Sequence, residues 1–374
     1  MQKAKKREIT RTNNFITCKA RPLQRGGLLI SSSVMTIKQI FNLAIEAGVH
    51  ADPRGRRGIE HWLELEKKKY RKLPEEEKEF FDKERLTNPY ADSRVHFGDP
   101  DTKVKTIIAG VEVEEPEIAL ITALSAKDKS NEVIKVMKRG TNNSITNNFV
   151  LPDLIITHHP IGKAFAALDD VMKMQADLMA SYGVPINVAE GVNRERLSAV
   201  SRSISPINHM KPVDLAKFAN LPIMNIHTPC DNLVFQFLQK LMDRKNPETV
   251  GEIIDILRKI PEYKESALNN AGPRIFAGAP ENRAGKIVAF DITGGTEGAK
   301  EIYPELAKAG VGTIIGMHMK DENREEAIKN HLNVVIAGHI SSDSIGMNLF
   351  LDKLAAKNIK IIPLGGLIRY RRSK

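Results

Sequence analysis

The chain has 374 residues, a net charge of +10, and is 41% hydrophobic but only 5% aromatic. That length can bury a sizeable core in more than one lobe, and no apolar run approaches the ~20 residues needed to span a membrane. Its two cysteines, Cys18 and Cys230, exclude a disulfide framework and fit a reducing, cytoplasmic setting.

The charge is unevenly placed. Residues 1–34 hold eight Lys and Arg against the single acid Glu8, so this segment carries +7 and the remainder only +3. Basicity therefore gives no argument for a nucleic-acid-binding fold. The segment reads either as a disordered tail ahead of a mis-assigned start at Met35, or as a targeting segment.

Met35 opens the first regular pattern, a helix through Ala44. The turn Asp52-Pro53-Arg54-Gly55 follows. Residues 59–86 read as helix broken near Pro74, with the charge run a solvated face or, as the alternative, a docking surface. Residues 103–122 read as two strands around Glu114-Glu115-Pro116, followed by a helix at 130–139 and a strand ending at His158. Helix 165–180, strand 184–188, helix 191–203, a short helix at 211–219 and strand 222–226 come next. Helices at 231–243 and 247–258 lead into a Pro/Gly-rich stretch from Asn269 to Pro280, the best candidate boundary. Beyond it, strands at 285–291, 311–315, 333–337 and 359–362 alternate with helices at 297–309, 321–330 and 342–356. Such alternation predicts an α/β protein with largely parallel sheets covered by helices. The expected lobes are 35–272, with an insert at about 183–221, and 273–374. No internal repeat of 20–50 residues is visible.

Three motifs carry chemistry. Leu154-Ile155-Ile156-Thr157 runs into His158-His159-Pro160, a second apolar run into His227-Thr228-Pro229-Cys230-Asp231, and a third into Gly338-His339-Ile340-Ser341-Ser342-Asp343. In parallel α/β sheets, ligands gather outside the carboxyl ends of strands, and all three motifs stand there. His339 and Asp343 are four apart at a helix opening and share a face. Taken singly, each has a plainer reading: a lone His is a hydrogen-bonded loop residue, and Asp231 and Asp343 are helix caps. Two adjacent imidazoles in a half-buried turn nevertheless need partners. Together the motifs point to N and O ligation of divalent metal. Three His and two Asp exceed one tetrahedral structural zinc and suit two bridged metals with positions left open for water.

Other features stay open. Cys230 reads as a packing residue rather than a ligand. The loop Asp291-Ile292-Thr293-Gly294-Gly295-Thr296-Glu297-Gly298 either cradles a phosphate at a helix start or is a tight turn. His318 either faces the same cleft, contacting substrate or moving protons, or is a plain loop histidine. His50, His61, His96, His209 and His331 have no constellation around them.

The His-His-Pro strand end, the His-Thr-x-x-Asp stretch and the late Gly-His-x-x-x-acid stretch resemble the NIF-three-like family, also called GTP cyclohydrolase I type 2 homologues. The resemblance covers roughly residues 150–160 and 222–374 and implies a dinuclear metal site in a cleft between two lobes of a ring-like homo-oligomer, commonly a hexamer. By residue matches its ligands would be His158, His159, Asp231, His339 and Asp343, with His227 a site neighbour. Three departures stand out. Asp343 replaces the family's Glu, the stretch from His159 to His227 is long enough to hold a lid, and the family's N-terminal Trp-Asp/Glu-Asn-x-Gly-Leu signature is missing; Gly58 to Trp62 does not replace it.

The expected function is a dinuclear, divalent-metal-dependent hydrolase acting on a nucleotide or related small molecule, a GTP cyclohydrolase-like ring opening among the options, with His227 or His318 moving protons. The metal is Zn, Mn, Fe, Co or Ni. The rivals are a metal-binding, ring-forming regulatory or interaction protein without significant turnover, and a metal-independent nucleotide binder built on Gly294-Gly295.

Overall fold

In a computed structural model the described residues are 34–125 and 151–372, all belonging to one compact unit. The basic segment through residue 33 and the helix expected at 130–139 lie outside them. Among the described residues, nine strands form two sheets: β1 Arg94–Phe97, β2 Thr106–Gly110, β3 Leu154–Thr157, β4 Ile223–Asn225, β5 Arg274–Ala277, β6 Lys286–Ala289, β7 Val311–Gly316, β8 Asn333–Ile336 and β9 Lys360–Leu364.

The first sheet has order β1-β4-β3-β2-β9 and the second β5-β8-β7-β6. In each, one edge strand is antiparallel, β1 against β4 and β5 against β8. The other pairings are parallel. The mainly parallel, helix-covered architecture expected from the alternation is the one observed. Strands β2, β3, β4 and β8 are buried along their whole length, which explains their unbroken apolar runs.

The principal helices are α1 Ile37–Ala51, α2 Gly55–Lys72, α3 Glu115–Ser125, α4 Met174–Tyr182, α5 Ile186–Ile204, α6 Lys211–Phe218, α7 Thr228–Lys245, α8 Val250–Leu257, α9 Pro261–Leu268, α10 Ile302–Lys308, α11 Asp321–Lys329 and α12 His339–Ala355. Thr36 caps α1 through a reciprocal capping box with Gln39. Helices α7 and α12 pack against each other across the middle of the molecule, with Cys230 facing Gly346. A Cβ at Gly346 would lie 2.3 Å from the Cys230 carbonyl oxygen, so glycine is what allows this approach.

Several local expectations are corrected. The second strand expected within 103–122 is α3. Its start, Glu115-Pro116-Glu117, combines a first-turn proline with acidic residues, and Ile118 and Ile121 are buried three apart. The strand expected at 184–188 is the first turn of α5, which Pro185 precedes as N-cap. Helix 165–180 is broken into one-turn pieces before α4. Strands β1 and β5 and helix α9 were not anticipated. The chain also crosses the boundary expected at 273: β9 returns to pair with β2.

Candidate metal centre

His158 and His159 leave the carboxyl end of β3, and His227 leaves that of β4. Each ring is oriented through Nδ1. In His158, Nδ1 faces the Ile226 carbonyl at 3.1 Å. In His159 it meets Glu112 Oε1 at 3.0 Å, and in His227 Asp92 Oδ2 at 2.7 Å. Asp92 is fully buried and also accepts from the Thr228 hydroxyl at 2.6 Å. A histidine held at Nδ1 by a carbonyl or carboxylate presents Nε2 as a lone-pair donor, the usual arrangement behind a metal ligand.

The three Nε2 atoms meet two buried carboxylates. His158 Nε2 lies 3.3 Å from Asp231 Oδ1 and 3.5 Å from Asp343 Oδ1. His159 Nε2 is 3.2 Å from Asp343 Oδ2, and His227 Nε2 is 3.7 Å from Asp231 Oδ2. His339 Nε2 approaches Asp343 Oδ2 at 3.5 Å from a more exposed position. Two groups result, His158 with His159 and Asp343, and His158 with His227 and Asp231, the donor atoms of each within 4.8 Å of one another. The structure thus brings together all five residues matched by resemblance, but it places His227 in a ligand group and leaves His339 at the rim.

His158 Nε2, Asp231 Oδ1 and Asp343 Oδ1 are buried and have no hydrogen-bond partner among the described residues. Buried polar atoms facing one another without bonds are costly, and a bound cation would satisfy all three. These donors fit a divalent metal.

The electrostatics of the cluster without metal agree. Burial pushes the His158 ring down, but Asp343 and then Asp231 outweigh it and hold the ring well above the usual histidine range. Burial opposes ionisation of Asp343, yet His158, His159 and His339 hold it well below the usual carboxylate range. Burial likewise lowers His227, but Asp231 and Asp92 raise it overall. His339 ends below its ordinary value, through burial and its histidine neighbours, despite Asp343.

The second sheet supplies the other wall. His318 follows β7, and its Nδ1 lies 3.0 Å from Asp291 Oδ2. Asp291 is the main cause that raises His318 to about 9. The His318 ring meets His339 edge-on at 5.0 Å. The Gly294-Gly295 loop turns through two left-handed residues. Gln175 donates to the carbonyls of Gly294 and Thr296 at 2.9 and 2.7 Å, and Arg196 to that of Glu297 at 3.0 Å. No helix begins until Ile302. Of the two readings of this loop, the tight turn is the one observed; the helix start a phosphate cradle needs is not there.

A cavity of about 20 Å³ between Asp231, Asp291, His318 and Asp343 has room for about one water. It opens into a cleft of about 490 Å³, and the two share His227, Gly295, Thr296, His318 and His339. Part of the long stretch between His159 and His227 walls this cleft through Ile207, Asn208, His209, Lys211 and Pro212, so His209 is not the isolated residue expected. Cys230 is buried with its sulfur 3.7 Å from Met347 Sδ, in neither ligand group.

Sequence reasoning missed Asp92, Glu112 and Asp291. Asp291 carried a signal: it ends a strand and opens the glycine loop, in a left-handed conformation (φ 62°). Asp92 and Glu112 had none, since no local motif ties either acid to a ring until the fold sets it behind one.

No protein-family model matches the sequence, and no curated protein does. Among solved structures, a NIF3 superfamily protein from Sphaerobacter thermophilus aligns with a TM-score of 0.63 at 20% identity, covering 89% of this chain and 99% of that one. A Bacillus cereus protein related to NIF3 covers 91% and 99% at 10% identity, TM-score 0.41. Reduced HcgD from Methanocaldococcus jannaschii covers 76% and 94% at 15% identity, TM-score 0.43.

Proposed function

We propose that this protein, which has the fold of the Sphaerobacter NIF3 superfamily protein, is a divalent-metal-dependent hydrolase of the NIF3 type, with two metals held by His158, His159, His227, Asp231 and Asp343 and His339 at their rim. The observation that carries this is the trio of buried, unpartnered atoms facing one another at His158, Asp231 and Asp343. Metals so bound would supply Lewis acidity and an activated water near neutral pH. The chain's own groups do the rest. Asp92, Glu112 and the Ile226 carbonyl fix the orientation of the three inner rings. His318, paired with Asp291 beside the cleft, is placed to hand a proton to a leaving group.

The 490 Å³ cleft on the site favours turnover over a purely regulatory role. By the sequence resemblance, the substrate is a nucleotide or related heterocycle, ring opening is one candidate reaction, and assembly is a homo-oligomer, a hexamer in the family's manner. The test is elemental analysis of protein purified without added metal, followed by a hydrolysis screen with and without chelator and light scattering for assembly. Two metals per protomer and chelator-sensitive turnover are expected. Metal-free, fully stable protein would refute the reading.

No helix among the described residues is long and apolar enough to cross a membrane.

A further inference from the structure

The turn Asp52-Pro53-Arg54-Gly55 and the tight loop after β6 are tied to each other through one buried side chain, Asn232. It is fully buried on α7, next in the chain to Asp231. Its Nδ2 donates to Asp52 Oδ2 at 3.1 Å, to the Tyr90 hydroxyl at 3.2 Å and to the Gly48 carbonyl at 3.3 Å. Its Oδ1 accepts from the Thr293 hydroxyl at 2.6 Å. These partners fix which way the amide faces: turned over, its oxygen would meet a carboxylate and a carbonyl.

One side of this network is anchored by charge. Arg54 forks onto Asp52, Nε to Oδ1 and Nη2 to Oδ2, both at 2.9 Å. The Asp52 side chain is fully buried, and the Tyr90 hydroxyl donates to it at 3.0 Å. Burial, then Asp52, push that hydroxyl well above the usual tyrosine range, so it keeps its proton. A bidentate pair is geometrically specific, and a buried hydrogen-bonded network rigidifies its members.

The other side is the metal centre. Asp231 and Thr293 line the same cavity of about 20 Å³, together with Asp291 and His318. Asp291, Gly294 and Gly295 are all left-handed, and the segment they span belongs to neither helix nor strand. The Thr293 hydroxyl therefore fastens an irregular loop to the helix that carries Asp231.

We propose that Asn232 and Thr293 are positioning residues of the metal centre: their hydrogen bond sets how far Asp231 stands from the Asp291–His318 wall, and so the room left for the attacking water. Asp52, Arg54 and Tyr90 hold Asn232 in the orientation that accepts this bond. The inference rests on the metal-centre reading above.

The test loads metal-depleted, full-length protein with Co²⁺, whose visible absorption reports the arrangement of its ligands. Wild type, Thr293→Val, Thr293→Ser and Tyr90→Phe are compared by absorption, Co²⁺ titration and melting temperature. Thr293→Val keeps the shape and removes the donor. It should still take up Co²⁺, with an altered spectrum and an affinity weakened about tenfold, the lower end of what loss of a supporting partner costs. Thr293→Ser keeps the hydroxyl, and should restore the spectrum and bring the affinity to within about twofold of wild type. Tyr90→Phe removes one partner of Asn232 and should shift the spectrum in the same direction, by less. A lower melting temperature in Thr293→Val with spectrum and affinity unmoved would overturn the proposal, since the bond would then serve the fold alone. So would Thr293→Ser behaving like Thr293→Val. Should Thr293→Val not fold, Tyr90→Phe carries the test, and an unmoved spectrum there overturns it. Wild type that takes up no Co²⁺ would instead remove the metal-centre reading, and this inference with it.

Discussion

Leaving aside β9, which pairs with β2 at the first sheet's other edge, the two sheets share one strand order, an antiparallel edge followed by three parallel strands, yet they put different chemistry at matching positions. The strand beside each edge, β4 or β8, feeds a His-x-x-x-Asp turn at the start of a helix: His227 to Asp231 on α7, His339 to Asp343 on α12. The middle strands, β3 and β7, release His158-His159 and His318, and the far ones, β2 and β6, release Glu112 and Asp291. In the first sheet the rings are more enclosed, with side-chain exposures of 1% for His158, 8% for His227 and 22% for His159. In the second they reach 34% for His318 and 41% for His339. The first sheet is built to hold a cation, and the second to face what comes into the cleft. Asp343 is the exception that joins them: it sits on the second sheet's helix yet is 1% exposed and touches His158, His159 and His339.

That exception gives the largest expected effect. Asp343→Asn keeps shape but removes the negative charge that two divalent cations need, so at least one metal per protomer should be lost. Elemental analysis of wild type and variant purified side by side reads it. Equal metal ratios would show that Asp343 merely caps α12, and the junction between the sheets would have to be sought elsewhere.

Next in size is Asp92→Asn. Asp92 bears on the proposed metal ligands through His227 Nδ1, and its other carboxylate contacts are to the Thr228 and Ser93 hydroxyls. Loss of such a supporting carboxylate typically costs 10–100-fold in metal affinity, measurable by competition with a chromophoric chelator. An unchanged affinity would mean that the orientation of His227 does not matter to the site.

The close crossing of α7 and α12 sets the spacing between Asp231 and Asp343. Gly346→Ala pushes a methyl group into the Cys230 carbonyl, and should destabilise the fold by about 1–3 kcal/mol with a parallel weakening of metal binding. Denaturant unfolding and metal titration on the same variant test the coupling. A stability loss without any change in metal affinity would show that the helices can part without moving their carboxylates.

The ligand-bearing turns are far more legible in the sequence than the residues that support them. His158-His159 and the two His-x-x-x-Asp turns were legible because local spacing alone places them at strand ends. The parallel strands β2, β3, β4 and β8 were legible because burial on both faces makes them continuously apolar. The antiparallel edges escaped: β1 is Arg-Val-His-Phe and β5 lies in a Pro/Gly-rich stretch, and neither presents an unbroken apolar run. At 184–188, β-branched residues suggested a strand, but Pro185 followed by the burial of Ala189 and Asn193 on one face makes a helix. The doubled architecture was hidden because its halves share topology and two short turns rather than a sequence repeat. Asp92 and Glu112 lie far along the chain from the rings they hold, so only the folded structure pairs them.

The smallest effect separates the sheets by titration. His318 is raised to about 9, chiefly by Asp291, against an ordinary value near 6.5. A histidine raised on folding adds stability that is fully present below its unfolded value and is lost as pH rises through its folded one. In chelated protein, this pair's contribution should therefore be complete below about pH 6.5 and fade as pH climbs through about 9. Because a third of the His318 side chain is exposed, solvent screening keeps the contribution to under about 1 kcal/mol. Asp291→Asn should return the His318 ring toward its ordinary titration, flatten the fall in melting temperature over that window, and leave the metal-to-protomer ratio of the holo protein unchanged. NMR titration of the His318 ring, with melting curves at several pH values, reads both. Superimposable profiles for wild type and variant would dissolve the pair. Loss of metal in Asp291→Asn would place the second sheet among the metal-holding elements and remove the division of labour between the two sheets.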